Sequence, residues 1–396
     1  MPSLPSPPLR VQTMQEPMIP RVADLILQNP GTISLGQGIV YYPPPTQAFA
    51  KLERFHQYPQ ANRYQSVIGM PALLEAFEEK VRRENGLLLE PSSCLIATAG
   101  GNMAFTNTLL AITDPGDEII LQTPYYFNHE MAVGMVGACP ILVETDANYQ
   151  LRLDAIADAI TPRTRAIVTV SPNNPTGAVY PEEALRAVNR LCAERGIYHI
   201  HDEAYEYFTY EGAKHISPGA FAGTAEHTIT LFSLSKAYGF ASWRIGYMVI
   251  PLSILPAIRK IQDTVLICPP VISQYAALGA LEAGEAWCRE RIATIATVRP
   301  IVRELLEPLK EWCVIPETQG AFYSFLRVQA PLEPMDIVRV LIQRFGVAVI
   351  PGTTFGMDKG CYLRLSYGAL QPETVLEGVG RFVEGIQCLL KGEVSC

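Results

Sequence analysis

Six short apolar runs, CLIATAGG, EIILQTP, RAIVTVSP, IYHIHDEAY, HTITLFSLS and RIGYMVI, recur between residues 94 and 250, several of them ending in Gly, Pro, Ser or Asp. Runs of this length, rich in β-branched residues, read as buried strands. The segments between them carry a helical period instead. MPALLEAFEEKVRRENG sets Leu73, Phe77 and Val81 on one stripe, with a charged opposite face and Gly86 as terminator. PEEALRAVNRLCAERG, residues 181–196, has proline at a plausible first turn, acids next and glycine at its end. Strand and helix in alternation predict an α/β fold with a mostly parallel central sheet flanked by helices.

From about residue 290 the texture changes to a long helical stretch, then GAFYSFLRV, GVAVIPG and CYLRLSYG separated by helical patterns. This predicts a second, smaller α+β domain. The expected division is an N-terminal arm over 1–45 joining the small domain, a large domain over 46–290, and a small C-terminal domain over 291–396. A chain of 396 residues, 48% hydrophobic, is long enough for that arrangement and a large core.

A net charge of −8 without basic blocks argues against a nucleic-acid or anionic-membrane partner. Nine cysteines, scattered singly and without a CxxC pair, read as reduced thiols of a cytoplasmic protein rather than a disulfide frame or zinc site. The start, MPSLPSPPLRVQTMQEP, is proline-rich and lacks the apolar core of a signal peptide. No uncharged apolar run reaches the roughly 18 residues of a membrane span. A soluble, cytoplasmic protein acting on small molecules is the expectation.

In open parallel sheets ligands bind beyond the carboxyl ends of the strands, so the polar residues there are the ones to collect. After CLIAT, Gly100 and Gly101 precede a helix, a turn that lets backbone approach an anion at a helix N-terminus. After RAIVTV comes the turn SPNNPTG. IYHIHDEAY delivers Asp202, Glu203 and Tyr205; neighbouring carboxylates on a strand point to opposite faces, which leaves Asp202 as the better candidate for the ligand side. HTITLFSLS ends at Lys236, followed by AYGFASWRIGY. Partial burial there lowers an amine's pKa and makes it a Schiff-base nucleophile. A phosphate cradle, a carboxylate and such a lysine are what pyridoxal phosphate requires.

SPNNPTG, HDEAY, SLSKAYGFASWRIGY and YLRLSYG, in this order and spacing, resemble the class I and II pyridoxal-phosphate aminotransferases of the aspartate aminotransferase fold (fold type I), over nearly the whole chain. The resemblance implies pyridoxal 5′-phosphate as cofactor, amino acids and 2-oxo acids as substrates, and two half-reactions with ping-pong kinetics. It implies that Lys236 forms the Schiff base and shuttles the α-proton. Asp202 would hold the pyridine nitrogen, with Asn174 and Tyr205 on the ring's phenolic oxygen. Gly100, Gly101, Asn102, Ser233 and Arg244 would surround the phosphate, and Tyr126 would stack on the ring. Arg364 would grip the substrate carboxylate by a two-pronged contact, with Gly38 backbone and Asn174 beside it. Tyr64 matches a tyrosine that reaches the phosphate of a neighbouring subunit, which implies a homodimer.

The substrate side chain is read from what is missing. One branch of aspartate and prephenate aminotransferases carries a lysine after the paired glycines, where this chain has Asn102; another uses an arginine near the segment TVLICPPVISQYAAL, which contains none. Tyr41, Tyr42, Tyr126, Phe127 and Phe355 are expected to crowd the pocket instead, favouring an aromatic amino acid or methionine. The alternatives are an aspartate or glutamate aminotransferase and a carbon–sulfur β-lyase on the same scaffold. His129, His199 and His201 lack metal-site spacing and read as structural or supporting residues.

Overall fold

The computed structural model describes residues 6–394; the first five residues of the proline-rich start, and Ser395 and Cys396, lie outside the described residues. The six apolar runs all enter one seven-stranded sheet. Its strands are β1 (Ser93–Thr98), β2 (Glu118–Thr123), β3 (Cys139–Glu144), β4 (Thr164–Val170), β5 (Tyr198–Asp202), β6 (Thr228–Ser233) and β7 (Gly246–Pro251). The spatial order is β1-β7-β6-β5-β4-β2-β3. Every pairing is parallel except those of β7, which runs antiparallel to β1 and β6.

The strand absent from the expectation, β3, lies at the sheet edge, where only Val143 is buried in CPILVE. An edge strand needs no continuous apolar run, because one side and much of one face meet water.

Helices cover both faces. On one, Ile200 of β5 joins Phe105 of the helix Gly101–Ile112 and Ile258 of the helix Leu255–Leu266 in a single core. On the other, Ile167 and Ile120 pack against Val188 and Cys192 of the helix Glu182–Arg195, which ends at Gly196 in the left-handed region (φ 66°). The helix Pro71–Glu84 buries Leu73, Phe77 and Val81, as its period predicts. It also buries Lys80, assigned by sequence to the charged face, because Glu206 supplies a counter-charge there.

The C-terminal third forms a four-stranded antiparallel sheet ordered Ile350–Pro351, Cys361–Ser366, Tyr323–Val328, Cys313–Val314. Ile33 and Ser34 pair in parallel with Val347 and Ala348, tying the N-terminal arm to this part of the chain. The helical run Val271–Leu306 leads into it and is broken at Gly284 (φ 71°). Among the described residues no single helix is long and apolar enough to cross a membrane.

Candidate active site

Strands β4, β5 and β6 run in parallel and end side by side, so their last residues share one rim. A cavity of about 330 Å³ opens there, lined by Gly101, Asn102, Tyr126, Asn174, Asp202, Tyr205, Ser233, Lys236 and Arg244 among others. Nine of the residues expected from sequence therefore meet at one place, carried by the ends of five strands and by the turns beyond them. Gly38, Gly100 and Arg364 adjoin it through direct contacts. Tyr64 does not: it is 78% exposed and borders a separate surface hollow with Cys268 and Pro269.

Lys236 lies three residues beyond β6, and its Nζ donates to the Gly38 carbonyl oxygen at 2.5 Å. Burial lowers its pKa to about 8, helped by the positive charges of Arg364 and Arg244 and opposed by Asp202. An amine in this state is half deprotonated at about pH 8 and about one-tenth deprotonated at pH 7, far more than an ordinary lysine, which suits a nucleophile and proton carrier.

Asp202 ends β5. The Ala204 amide donates to its Oδ1 at 2.9 Å, and His129 Nε2 lies 3.1 Å from its Oδ2. His129 comes from the helix Phe127–Met135 and stacks on Phe105 with ring centroids 4.0 Å apart. Of the three histidines read as structural or supporting, His129 alone touches a cavity residue. His199 and His201 bond Thr169 inside the sheet, at 2.7 and 2.6 Å.

Glu203, the next residue, points away. Ser217 and His215 bond its two oxygens at 2.5 and 2.7 Å, and Asn85 Nδ2 lies 3.2 Å from the second.

Arg364, on the strand Cys361–Ser366, is 1% exposed. Its guanidinium donates to Asn174 Oδ1 at 2.8 Å and to the Gly36 carbonyl at 2.6 Å, while Nε has no hydrogen-bond partner among the described residues. The rings of Tyr323 and Phe355 flank it, with centroids 4.6 and 4.8 Å away. Burial lowers its pKa, and the neighbouring tyrosines counter that. A buried, partly unsatisfied guanidinium is an anion site in waiting, since a planar carboxylate can satisfy two donors at once.

At the other end, Arg244 occupies the left-handed region (φ 51°), rare for a side chain of its size. This places its guanidinium against Gly100, where an added Cβ would come within 2.5 Å of Nη2. Gly100 and Gly101 open the helix Gly101–Ile112, so amide donors, Arg244 and Ser233 converge where an anionic tail fits. Between the two anion sites stands Tyr126, whose hydroxyl accepts from Asn128 at 2.8 Å and donates to Asn102 at 3.3 Å.

The sequence reading did not single out Tyr323. Its hydroxyl lies 2.5 Å from that of Tyr205, and the strand pattern of GAFYSFLRV gave no hint of the partnership. Tyr42, expected in the pocket, is instead packed behind Lys236: its hydroxyl donates to the Ala237 carbonyl at 3.1 Å and its ring meets Trp287. Tyrosine at that position braces the lysine loop.

A flat ring with an anionic tail, a basic nitrogen and a carbonyl matches this donor set: tail donors at Gly100 to Asn102, a carboxylate at Asp202, an amine at Lys236. The fold and the cavity define a pyridoxal-phosphate enzyme. The chain belongs to the aminotransferase class I and II family, whose model matches residues 30–382, and it is a pyridoxal-phosphate-dependent aminotransferase.

It is similar to the aromatic aminotransferase ISS1 of Arabidopsis thaliana, 34% identical over 94% of each chain. It is also similar to the aspartate/prephenate aminotransferase of Thermus thermophilus, 39% identical over 81% of this chain and 82% of that one. Among solved structures, the Thermus thermophilus aspartate aminotransferase with maleate superposes with a TM-score of 0.88, at 34% identity, over 96% of this chain and all of that one.

Proposed function

We propose that this aminotransferase takes its amino group from an L-aromatic amino acid or methionine, passes it to a 2-oxo acid by two half-reactions, and works as a homodimer. The observation that carries the donor class is the aromatic cluster beside the cavity, which begins at the cavity-lining Tyr126. Tyr126, Phe127 and Phe355 form a run of rings, centroids 5.1 and 6.2 Å apart, that ends at Arg364. Asn102 stands where a cation would be needed for a distal carboxylate. The cations lining the cavity are Lys236 and Arg244, and both have other roles in this reading. The name of the Arabidopsis relative favours the same donor class.

Bound pyridoxal phosphate supplies a carbonyl that takes up amino groups and an electron sink that lets the α-proton leave. The chain's own groups do the rest. Arg364 binds the substrate carboxylate through the donor that now lacks a partner, and Asn174 holds the guanidinium in place. Lys236, with its pKa near 8, anchors the cofactor covalently and moves the proton at its Nζ. Asp202 would pair with the ring nitrogen, and His129 restrains its second oxygen. Tyr205, whose pKa burial pushes far up, remains a neutral donor toward the ring's phenolic oxygen. Gly100, Gly101, Asn102, Ser233 and Arg244 hold the phosphate.

Asn102 and Arg244 are exposed, so this end of the cavity is open in a single chain. A second copy that brings its Tyr64 to that mouth would close it, which is the role this reading gives the dimer. No disulfide joins cysteines among the described residues, which suits a reducing, cytoplasmic compartment.

Single-turnover titration of the yellow holoenzyme tests the donor class. Phenylalanine, tyrosine and methionine should bleach the visible band at lower concentration than aspartate or glutamate. Bleaching by the dicarboxylates alone would favour the second reading, an aspartate or glutamate donor, which the Thermus relative's name supports. Pyruvate and ammonia released from a cysteine conjugate without any 2-oxo acid would favour β-elimination.

A further inference from the structure

Tyr323 meets three parts of the site at once. Its hydroxyl lies 2.5 Å from the Tyr205 hydroxyl. Its ring lies against the Arg364 guanidinium. A Cβ built on Gly38 would approach its oxygen to 2.6 Å, while the Gly38 carbonyl holds Lys236. The residue is 2% exposed and comes from the C-terminal sheet, whereas Tyr205 follows β5 of the large sheet. Its side chain touches both Tyr205 and Arg364.

Proton counting gives the contact a direction. Two hydroxyls at hydrogen-bond distance share one proton between them, so only one remains for another acceptor. For Tyr205 to donate into the cavity, Tyr323 must donate to Tyr205. A hydroxyl that accepts a hydrogen bond becomes a stronger donor in turn. We propose that Tyr323 is a positioning residue that orients and strengthens the Tyr205 donor while seating Arg364, and so links the C-terminal sheet to the cofactor ring. This rests on the roles given above to Tyr205 and Arg364.

The titratable groups in view are few. Lys236 faces Arg364, Arg244 and Asp202, with the Tyr205 ring 5.7 Å away. Tyr205 and Tyr323 both face Tyr126 and Arg364. Tyr323→Phe leaves all of these in place and removes one hydroxyl. With Tyr205 a weaker donor, negative charge on the ring's phenolic oxygen is less stabilised, and the proton shared there is kept to higher pH.

The test is a pH titration of the visible absorption band in wild-type, Tyr323→Phe and Tyr323→Leu holoenzymes, with steady-state kinetics beside it. Tyr323→Phe should raise the band's midpoint by about half a pH unit or more and lower kcat roughly 3- to 10-fold with KM nearly unchanged. Tyr323→Leu, which also removes the ring from Arg364, should in addition raise KM about tenfold. A Tyr323→Phe midpoint within about 0.1 unit of wild type overturns the proposal, since the phenylalanine keeps the packing. A wild-type protein with no visible band overturns it together with the reading of the site on which it rests.

Discussion

Asp202 and Glu203 are neighbouring carboxylates at the end of one strand, and their surroundings differ in every respect that matters. Asp202 faces the cavity, with a side chain 13% exposed, one backbone amide and His129 as its contacts. Glu203 is fully buried behind the sheet, bonded to His215 and Ser217 with Asn85 close by, and burial raises its pKa. The strand's two-residue period separates them. A perturbed pKa by itself would have selected Glu203 as the functional acid. What distinguishes Asp202 is acceptor capacity left over and aimed at empty space. Behind the sheet, Glu203, Glu206 and His215 converge within 4.8 Å, yet Asn85, Lys80 and Ser217 already bond the two carboxylates.

If front and back differ in this way, substitutions should divide into those that stop turnover and those that loosen the fold. The largest effect is expected at Lys236. Lys236→Ala should lower kcat roughly 10⁴-fold or more, because one group serves as both anchor and proton carrier. Its apoprotein should melt no earlier than wild type at pH 7. The folded amine binds its proton only up to about pH 8 and the unfolded amine up to 10.5, so below pH 8 the buried ammonium is a cost to the fold.

The comparison itself is tested by Asp202→Asn against Glu203→Gln. The first should cost roughly 10²–10³ in kcat with little change in melting temperature. The second should keep most of the activity and lose about 1–3 kcal/mol of stability, since amide hydrogens replace an acceptor inside a filled network. Equal kinetic losses in both would erase the distinction. Between these lies His129: His129→Leu should lower kcat about 10- to 100-fold, the worth of one hydrogen bond to a charged group, without raising KM for the amino acid.

The Lys236 pKa adds a dependence on pH. Only the free amine attacks a carbonyl, so uptake of pyridoxal phosphate by the apoprotein should accelerate about tenfold per unit up to pH 8 and then level off. A stopped-flow absorbance series from pH 6 to 9 measures it. A profile still rising steeply at pH 9 would place the amine in an ordinary lysine environment.

Much of this site was legible because the sheet reports it. Lys236, Asp202 and Asn174 each follow an apolar run, and a parallel sheet brings such ends together whatever lies between them in sequence. His129 and Tyr323 were less legible for a common reason. Each acts through a partner on another element, Asp202 and Tyr205, and no spacing along the chain encodes those contacts. Lys80 shows the same limit in the fold: its position beside Phe77 and Val81 is helical arithmetic, but the Glu206 that permits its burial arrives from beyond β5. The edge strand β3 escaped because half-exposed residues dilute the apolar signal.

Tyr42 offers the finest test of the front-and-back division, because the aromatic character of its neighbourhood suggested substrate contact and its geometry denies it. Its hydroxyl bonds the Ala237 carbonyl, one residue past Lys236, and its ring packs on Trp287. Tyr42→Phe removes that bond and keeps the packing, so it should cost about 0.5–1.5 kcal/mol of stability. The donor preference, measured as the ratio of kcat/KM for phenylalanine and methionine, should stay within about twofold, well below what one lost pocket contact would cause. Phe355, which closes the ring run beside Arg364, is the contrasting position: Phe355→Leu should shift that ratio more than Tyr42→Phe does. A larger shift from Tyr42→Phe would return Tyr42 to the substrate wall and move the boundary of the site to the far side of the lysine loop.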